Sequence, residues 1–264
     1  MNENELLLTT IKKCRRIDLY VDPQPLTPSE RLELALMQSR KDAGEPLQYI
    51  TGQCEFMNIV LTVNSSVLIP RPETELLVEF MLHQIRLAGW ESSSILDIGT
   101  GSGNIALSLA KELPKAMITA LDISQEALAV AQKNAQINGL AQRVQWIKSD
   151  LFSFSDAPSE SKKFDCIVSN PPYIPTGELG KLPANVQREP KIALDGGEDG
   201  LDFYRRIIRK SPEFLKDKGF LFLEMGDGQS EDIVALFNEN SCWVIKDILK
   251  DYANTERAIM AQVR

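Results

Sequence analysis

Histidine is almost missing: His83 stands alone in 264 residues. Serine-histidine and cysteine-histidine nucleophiles and histidine-ligated metals are therefore set aside, and no metal site is expected. His83 itself falls in the apolar helical pattern from Glu75 to His83, away from any turn motif, and is expected to be structural. Cysteine is scarce as well. Cys14, Cys54, Cys166 and Cys242 are scattered without a CxxC pair, which argues against a zinc ribbon or a disulfide framework and fits reduced thiols in a cytoplasmic protein. No apolar run approaches the ~20 residues that span a bilayer. Glu3 and Glu5, ahead of a short apolar stretch, make a poor signal peptide. Positive charge is also in deficit. With 29 Lys and Arg against 37 Asp and Glu, the net charge of -8 argues against a broad phosphate-neutralising surface. A protein partner, or a locally basic patch on an acidic molecule, fits that balance; a protein partner is expected, with no direct nucleic-acid or membrane contact, and the chain is expected to be a monomer.

What is present suits one large domain with a small appendage: 43% hydrophobic and 25% charged residues are ordinary for a globular chain. Residues 1-50 are expected to form an N-terminal helical domain that docks a partner. Its first helix is expected over Leu6 to Ile17. Thr27-Pro28-Ser29-Glu30 has the pattern of a capping box opening a second helix, with Thr27 as N-cap, Pro28 first in the helix and Glu30 as reciprocal cap. Leu32, Leu34, Ala35, Leu36 and Met37 would cover one face, and Gly44 and Pro46 stop it. Residues 51-70 suggest a β-hairpin linker, one strand over Glu55 to Val63 and the other at Val67-Leu68-Ile69, joined at Asn64-Ser65-Ser66. Pro70-Arg71-Pro72-Glu73-Thr74-Glu75 then opens the helix containing His83; locally it is a rigid helix start and no more.

Residues 71-264 carry a β/α alternation that implies a doubly wound α/β sheet. Buried strands are expected at Ile95 to Ile98, Ala116 to Leu121, Val144 to Ile147, Phe164 to Ser169 and Phe220 to Glu224, with a terminal antiparallel hairpin from Trp243 to Ile248 and Arg257 to Gln262. Gly99-Thr100-Gly101-Ser102-Gly103 lies between a strand and a helix, where glycines let a ligand approach the backbone. Its spacing is neither GxGxxG nor a P-loop. Asp122 ends the next strand, where a carboxylate can accept two ribose hydroxyls, and Asp150 ends the third, where it can accept from an adenine amine. Asp97 would orient the turn or a cofactor amine. The fourth strand runs into Asn170-Pro171-Pro172-Tyr173. Proline cannot extend the ladder, so this corner must leave the sheet at the carboxyl end of a strand, where ligands sit.

Together, Asp97 to Gly103, Asp122, Asp150 and Asn170 to Tyr173 resemble the class I S-adenosylmethionine-dependent methyltransferases that act on a planar nitrogen. Beyond that core, the runs Pro46 to Gly52, Leu68 to Glu75, Arg188-Glu189-Pro190, Ala193 to Gly197 and Gly200 to Tyr204 are similar to the HemK/PrmC-type protein-glutamine methyltransferases, which include the peptide chain release factor glutamine N(5)-methyltransferases. The resemblance implies a Rossmann-like, seven-stranded sheet and S-adenosyl-L-methionine held by Gly99, Thr100, Gly101, Ser102, Gly103, Asp122, the residue after Asp150 (Leu151) and Asn170. It implies that Asn170, Pro171, Pro172 and Tyr173 bind a substrate glutamine from the Gly-Gly-Gln loop of a release factor. Leu151 departs from relatives with tryptophan there and keeps an apolar contact without aromatic stacking.

The chemistry suits these residue types. An amide nitrogen is a poor nucleophile because its lone pair is delocalised into the carbonyl. Two acceptors on its hydrogens, the Asn170 side-chain oxygen and the Pro171 carbonyl, would turn that pair toward a sulfonium methyl and stabilise the charge that develops. An N6-adenine nucleic-acid methyltransferase, a ribosomal-protein glutamine methyltransferase and a non-catalytic nucleotide-binding module remain open alternatives.

Overall fold

The computed structural model of the chain describes residues 3-154 and 163-264. The first helix, α1 (Glu3–Lys12), ends earlier than its apolar pattern suggests. Lys13 turns into the left-handed region at φ 50, and the short α2 (Asp18–Val21) follows, with Arg15 paired to Asp18 at 3.0 Å. The expected capping box is present at α3 (Pro28–Asp42), where Thr27 Oγ1 accepts from the Glu30 amide at 3.2 Å and Glu30 accepts from the Thr27 amide at 2.7 Å. Leu7, Ile11, Met37 and, on α4 (Leu47–Thr51), Ile50 form a small core among these helices. The apolar face of α3 is narrower than expected. Leu32 and Leu36 stand 64% and 58% exposed, because α1 and α4 cover only the side that carries Met37.

The hairpin exists, but not where the strand-turn-strand pattern placed it. β1 (Gln53–Phe56) pairs antiparallel with β2 (Ile59–Thr62), so the turn falls at Met57 and Asn58 inside the expected first strand. Val67 to Ile69 is not a strand. Its backbone is satisfied elsewhere, with the Ile69 amide donating to the buried Glu189 carboxylate at 3.0 Å.

Helix α5 (Pro72–Leu87) leads into the main sheet. In chain order come β3 (Ser94–Ile98), α6 (Asn104–Glu112), β4 (Met117–Asp122), α7 (Gln125–Ile137), β5 (Val144–Lys148), β6 (Phe164–Ser169), α8 (Asp202–Lys210), β7 (Leu215–Glu224), α9 (Ser230–Asn238), β8 (Trp243–Lys250) and β9 (Glu256–Val263). Among the described residues, seven strands lie in the order β5-β4-β3-β6-β7-β9-β8, parallel except for β9, which inserts antiparallel between β7 and β8. Every residue of β3 is buried, as a central parallel strand requires. One core packs α5 and α6 on one sheet face and the other packs α8 and α9 on the opposite face.

The order reverses at β3, whose neighbours are β4 on one side and β6 on the other. Such a switch point opens a crevice beyond the carboxyl ends of the strands. Ile98 is in register with Ser169, so the turn after β3 and the corner after β6 start side by side.

Candidate active site

An open cleft occupies that crevice, between the glycine turn, the ends of β4 and β5, and the Asn170 corner. Gly99, Gly101 and Gly103 all have positive φ. A side chain built at Gly101 would meet nothing within 4 Å, because that position faces the open cleft. Asp122 stands on the wall. Its two oxygens accept from the Gly101 amide at 2.8 Å and the Ser124 amide at 2.9 Å. This leaves lone pairs on both oxygens for a ligand diol. Burial pushes its carboxyl upward, while those two amides pull it down.

The remaining residues expected around the turn lie behind it. Asp97 is fully buried, accepts from Thr100 Oγ1 at 2.6 Å, and is pushed up to about 7 by desolvation. Thr100 and Ser102 are buried beneath the backbone, and Gly103 packs toward Ala131, Leu107 and Trp146. Thus Gly99, Gly101 and Asp122 line the cleft, whereas Asp97, Thr100, Ser102 and Gly103 shape the turn. Asn134, buried on α7, pins this arrangement. Its Nδ2 donates to the carbonyls of Ser102 at 2.9 Å and Thr62 at 3.0 Å, and its Oδ1 accepts from the Thr62 amide at 2.7 Å.

At the far end, Asp150 and Leu151 both line the cleft, with Leu151 in the left-handed region at φ 48. Asp150 is engaged in an ion pair with Arg206 from α8 at 2.7 Å. The Arg206 guanidinium also lies over the Phe203 ring, 5.7 Å from its centre. Arg206 and Phe203 therefore complete a wall that strand endings alone could not supply.

Asn170, Pro171 and Pro172 form the opposite wall. Behind Asn170 and Pro171 lies a second cleft, lined also by Arg71, Tyr173 and Val186. The two clefts share Leu68, Asn170, Pro171 and Ala193, so the corner is a partition between them. Asn170 Nδ2 donates to Thr74 Oγ1 at 3.0 Å. Neither Asn170 Oδ1 nor the Pro171 carbonyl accepts a hydrogen bond from a described residue. The corner is held from outside as well. Gln229 Nε2 donates to the Tyr173 carbonyl at 3.0 Å, and Ile174 bridges to Asp195. Gly196 and Gly200 make this fit possible, since a Cβ at Gly196 would lie 2.8 Å from Tyr173 Cα and one at Gly200 2.4 Å from its carbonyl oxygen. His83 is exposed on α5, away from both clefts.

Sequence reasoning missed Thr74, Glu224, Asn134 and Arg206. Thr74 lies in a run that reads locally as a rigid helix start and otherwise carries only the family resemblance, which names no role for it. Glu224 ends β7 as Asp122 ends β4, and that shared position is the available signal. Asn134 and Arg206 sit in ordinary helical patterns and gave none.

Residues 72–182 match the family described as Methyltransferase small domain, and residues 2–52 match the PrmC N-terminal domain. Among curated relatives, a release factor glutamine methyltransferase from Moorella thermoacetica is 47% identical over 85% of this chain and 77% of its own. One from Thermodesulfovibrio yellowstonii is 37% identical over 99% of this chain and 92% of its own. A methyltransferase from Pyrococcus furiosus shares the fold, with a TM-score of 0.56 at 16% identity over 89% of this chain and 98% of that one. On relatives of this identity spanning most of both chains, the chain belongs to the release factor glutamine methyltransferase family.

Proposed function

We propose that this enzyme transfers the methyl group of S-adenosyl-L-methionine to the side-chain amide nitrogen of the glutamine in the Gly-Gly-Gln motif of peptide chain release factors. The observation that carries this reading is the partition itself: two clefts meet at Asn170 and Pro171, whose oxygens carry no hydrogen bond from a described residue. The residues of the first cleft fit this cofactor. Asp122 offers carboxylate lone pairs to a ribose, Gly101 leaves open space, and Asp150 and Leu151 offer an acceptor and an apolar surface for the base. When bound, the cofactor supplies a sulfonium-activated methyl group.

The second cleft suits the substrate carboxamide. Asn170 Oδ1 and the Pro171 carbonyl would accept its two N–H hydrogens, fixing the nitrogen in the plane of the partition and favouring positive charge on it as it is alkylated. Pro172 stiffens the carbonyl before it, and Tyr173 lines the cleft beside the amide. No base is needed before attack, because the proton becomes acidic only as the methyl arrives, and it then leaves to solvent. The scarcity of histidine is consistent with this. The N-terminal helices, with Ile17, Tyr20 and Val21 more than half exposed, and the β1-β2 hairpin are the surfaces we assign to release-factor docking.

Mass spectrometry of a purified release factor incubated with enzyme and S-adenosylmethionine tests the proposal. One added methyl on the Gly-Gly-Gln peptide is expected, with none on DNA or on ribosomal proteins. Methylation of either of those instead would replace this reading.

A further inference from the structure

The Pro70 to Glu75 motif has no part in the chemistry above, yet it delivers Thr74 to the back of the corner. Thr74 is 1% exposed, and its Oγ1 accepts from Asn170 Nδ2 at 3.0 Å. Ser169 is in register with Leu223, so the next residue of each chain segment, Asn170 just past β6 and Glu224 at the end of β7, fall side by side. Glu224 is 2% exposed and its Oε2 has no hydrogen-bond partner among the described residues. Burial pushes this carboxyl up to about 7, with the Thr74 hydroxyl and the Asn170 amide pulling it back.

We propose that Thr74 and Glu224 are positioning residues that hold the Asn170 carboxamide with its NH2 toward the protein and its oxygen toward the substrate. The inference rests on the reading of Asn170 as the acceptor. A carboxamide has nearly the same shape when rotated by half a turn, so packing alone cannot choose between oxygen-out and nitrogen-out. A threonine hydroxyl can donate or accept, so Thr74 alone cannot choose either. An ionised carboxyl can only accept. Glu224 therefore draws the hydrogens of both neighbours toward itself, leaving Thr74 Oγ1 free to accept from the asparagine NH2. Nitrogen-out would set the Asn170 oxygen against the carboxylate. Once protonated, Glu224 can donate, and the discrimination is lost.

Methyl transfer should then need Glu224 ionised. The charged groups that face it are Glu73 on α5, which opposes ionisation, and Arg257 on β9, which favours it. Tyr204 of α8 donates its hydroxyl to the Glu224 backbone carbonyl at 2.8 Å, and Tyr173, whose hydroxyl is pushed up to about 12, stays neutral throughout.

The test is kcat and KM for release-factor methylation from pH 6 to 9 at saturating S-adenosylmethionine, with cofactor affinity measured by calorimetry. Wild-type kcat should rise about tenfold between pH 6 and 8, the span of one proton titrating near neutrality. Glu224→Gln should flatten that rise and lower kcat at pH 8 by about tenfold or more, with KM and cofactor affinity within about threefold. Thr74→Val should lose a similar factor, and Thr74→Ser, which keeps the hydroxyl, should recover most of it. Wild-type kcat in both Thr74→Val and Glu224→Gln, while Asn170→Ala is crippled, would overturn the inference. So would a Thr74→Ser enzyme no better than Thr74→Val, since that marks a packing role. Full turnover by Asn170→Ala would instead overturn the underlying reading of Asn170.

Discussion

Arg71 and Glu189, 118 residues apart in the chain, form an ion pair in which the carboxylate is 1% exposed and the guanidinium 31%. Glu189 also accepts from the Ile69 amide, and its neighbour Arg188 donates to the Ala43 carbonyl at 2.6 Å. One short turn thus ties the N-terminal helices, the segment opening α5 and the wall of the second cleft together.

The unequal burial of that pair predicts unequal mutants. Arg71→Ala strands a buried carboxylate and should lower unfolding free energy by about 3–5 kcal/mol. Glu189→Gln leaves a guanidinium that can reach water and keeps an acceptor for Ile69, so about 1–2 kcal/mol is expected. Urea denaturation of both variants measures the difference, and the reverse order would contradict it.

Asp122 should govern cofactor affinity. Asp122→Asn replaces one carboxylate oxygen with an NH2 that must confront either the Gly101 or the Ser124 amide. Calorimetry with S-adenosylmethionine should show binding weakened by about 10- to 100-fold, the worth of one or two charge-assisted hydrogen bonds.

Gly200→Ala should separate binding from chemistry. Its Cβ would lie 2.4 Å from the Tyr173 carbonyl, at a φ of +78 that side chains rarely adopt, so the corner must shift. Overpacking of this kind costs about 1–3 kcal/mol of stability. A displaced corner should cut kcat by about 100-fold, while cofactor affinity, set by Asp122 and the glycine turn, stays nearly unchanged in the same calorimetric assay.

Stability should respond to pH through Asp97. Desolvation raises its carboxyl in the fold to about 7, against an unfolded value near 4. Below the unfolded value both states are protonated and its contribution is fully present. As pH rises from about 4 to 7 only the folded state keeps the proton, so stability is lost, and above 7 the loss is complete. Asp97→Asn keeps an acceptor for Thr100 without titrating. Relative to wild type it should therefore gain of order 4 kcal/mol between pH 4 and pH 8, read from urea denaturation at both pH values. A constant difference would remove Asp97 as the cause.

Local signals were the legible ones. The Thr27 box and the Ser124 cap, whose Oγ accepts from the Ala127 amide at 3.1 Å, join residues three apart, and so survive any tertiary arrangement. Short apolar runs ending in Asp122 and Asn170 announced buried parallel strands and their exits in the same way. The hairpin misled because Val67 to Ile69 has strand-like composition while its amide partner, Glu189, lies far along the chain.

By itself, then, the sequence determined the helix starts, the strand cores and the kinds of side chain presented where those strands end. Tertiary structure alone decided that β3 lies between β4 and β6, which sets Gly99 beside Asn170. It likewise brought Thr74 to Asn170 across 96 residues and Arg206 to Asp150 across 56. The reason is physical: a cap is a bond within one turn of chain, whereas strand neighbours are selected by which apolar faces must be buried together, and that choice is made by the whole molecule at once.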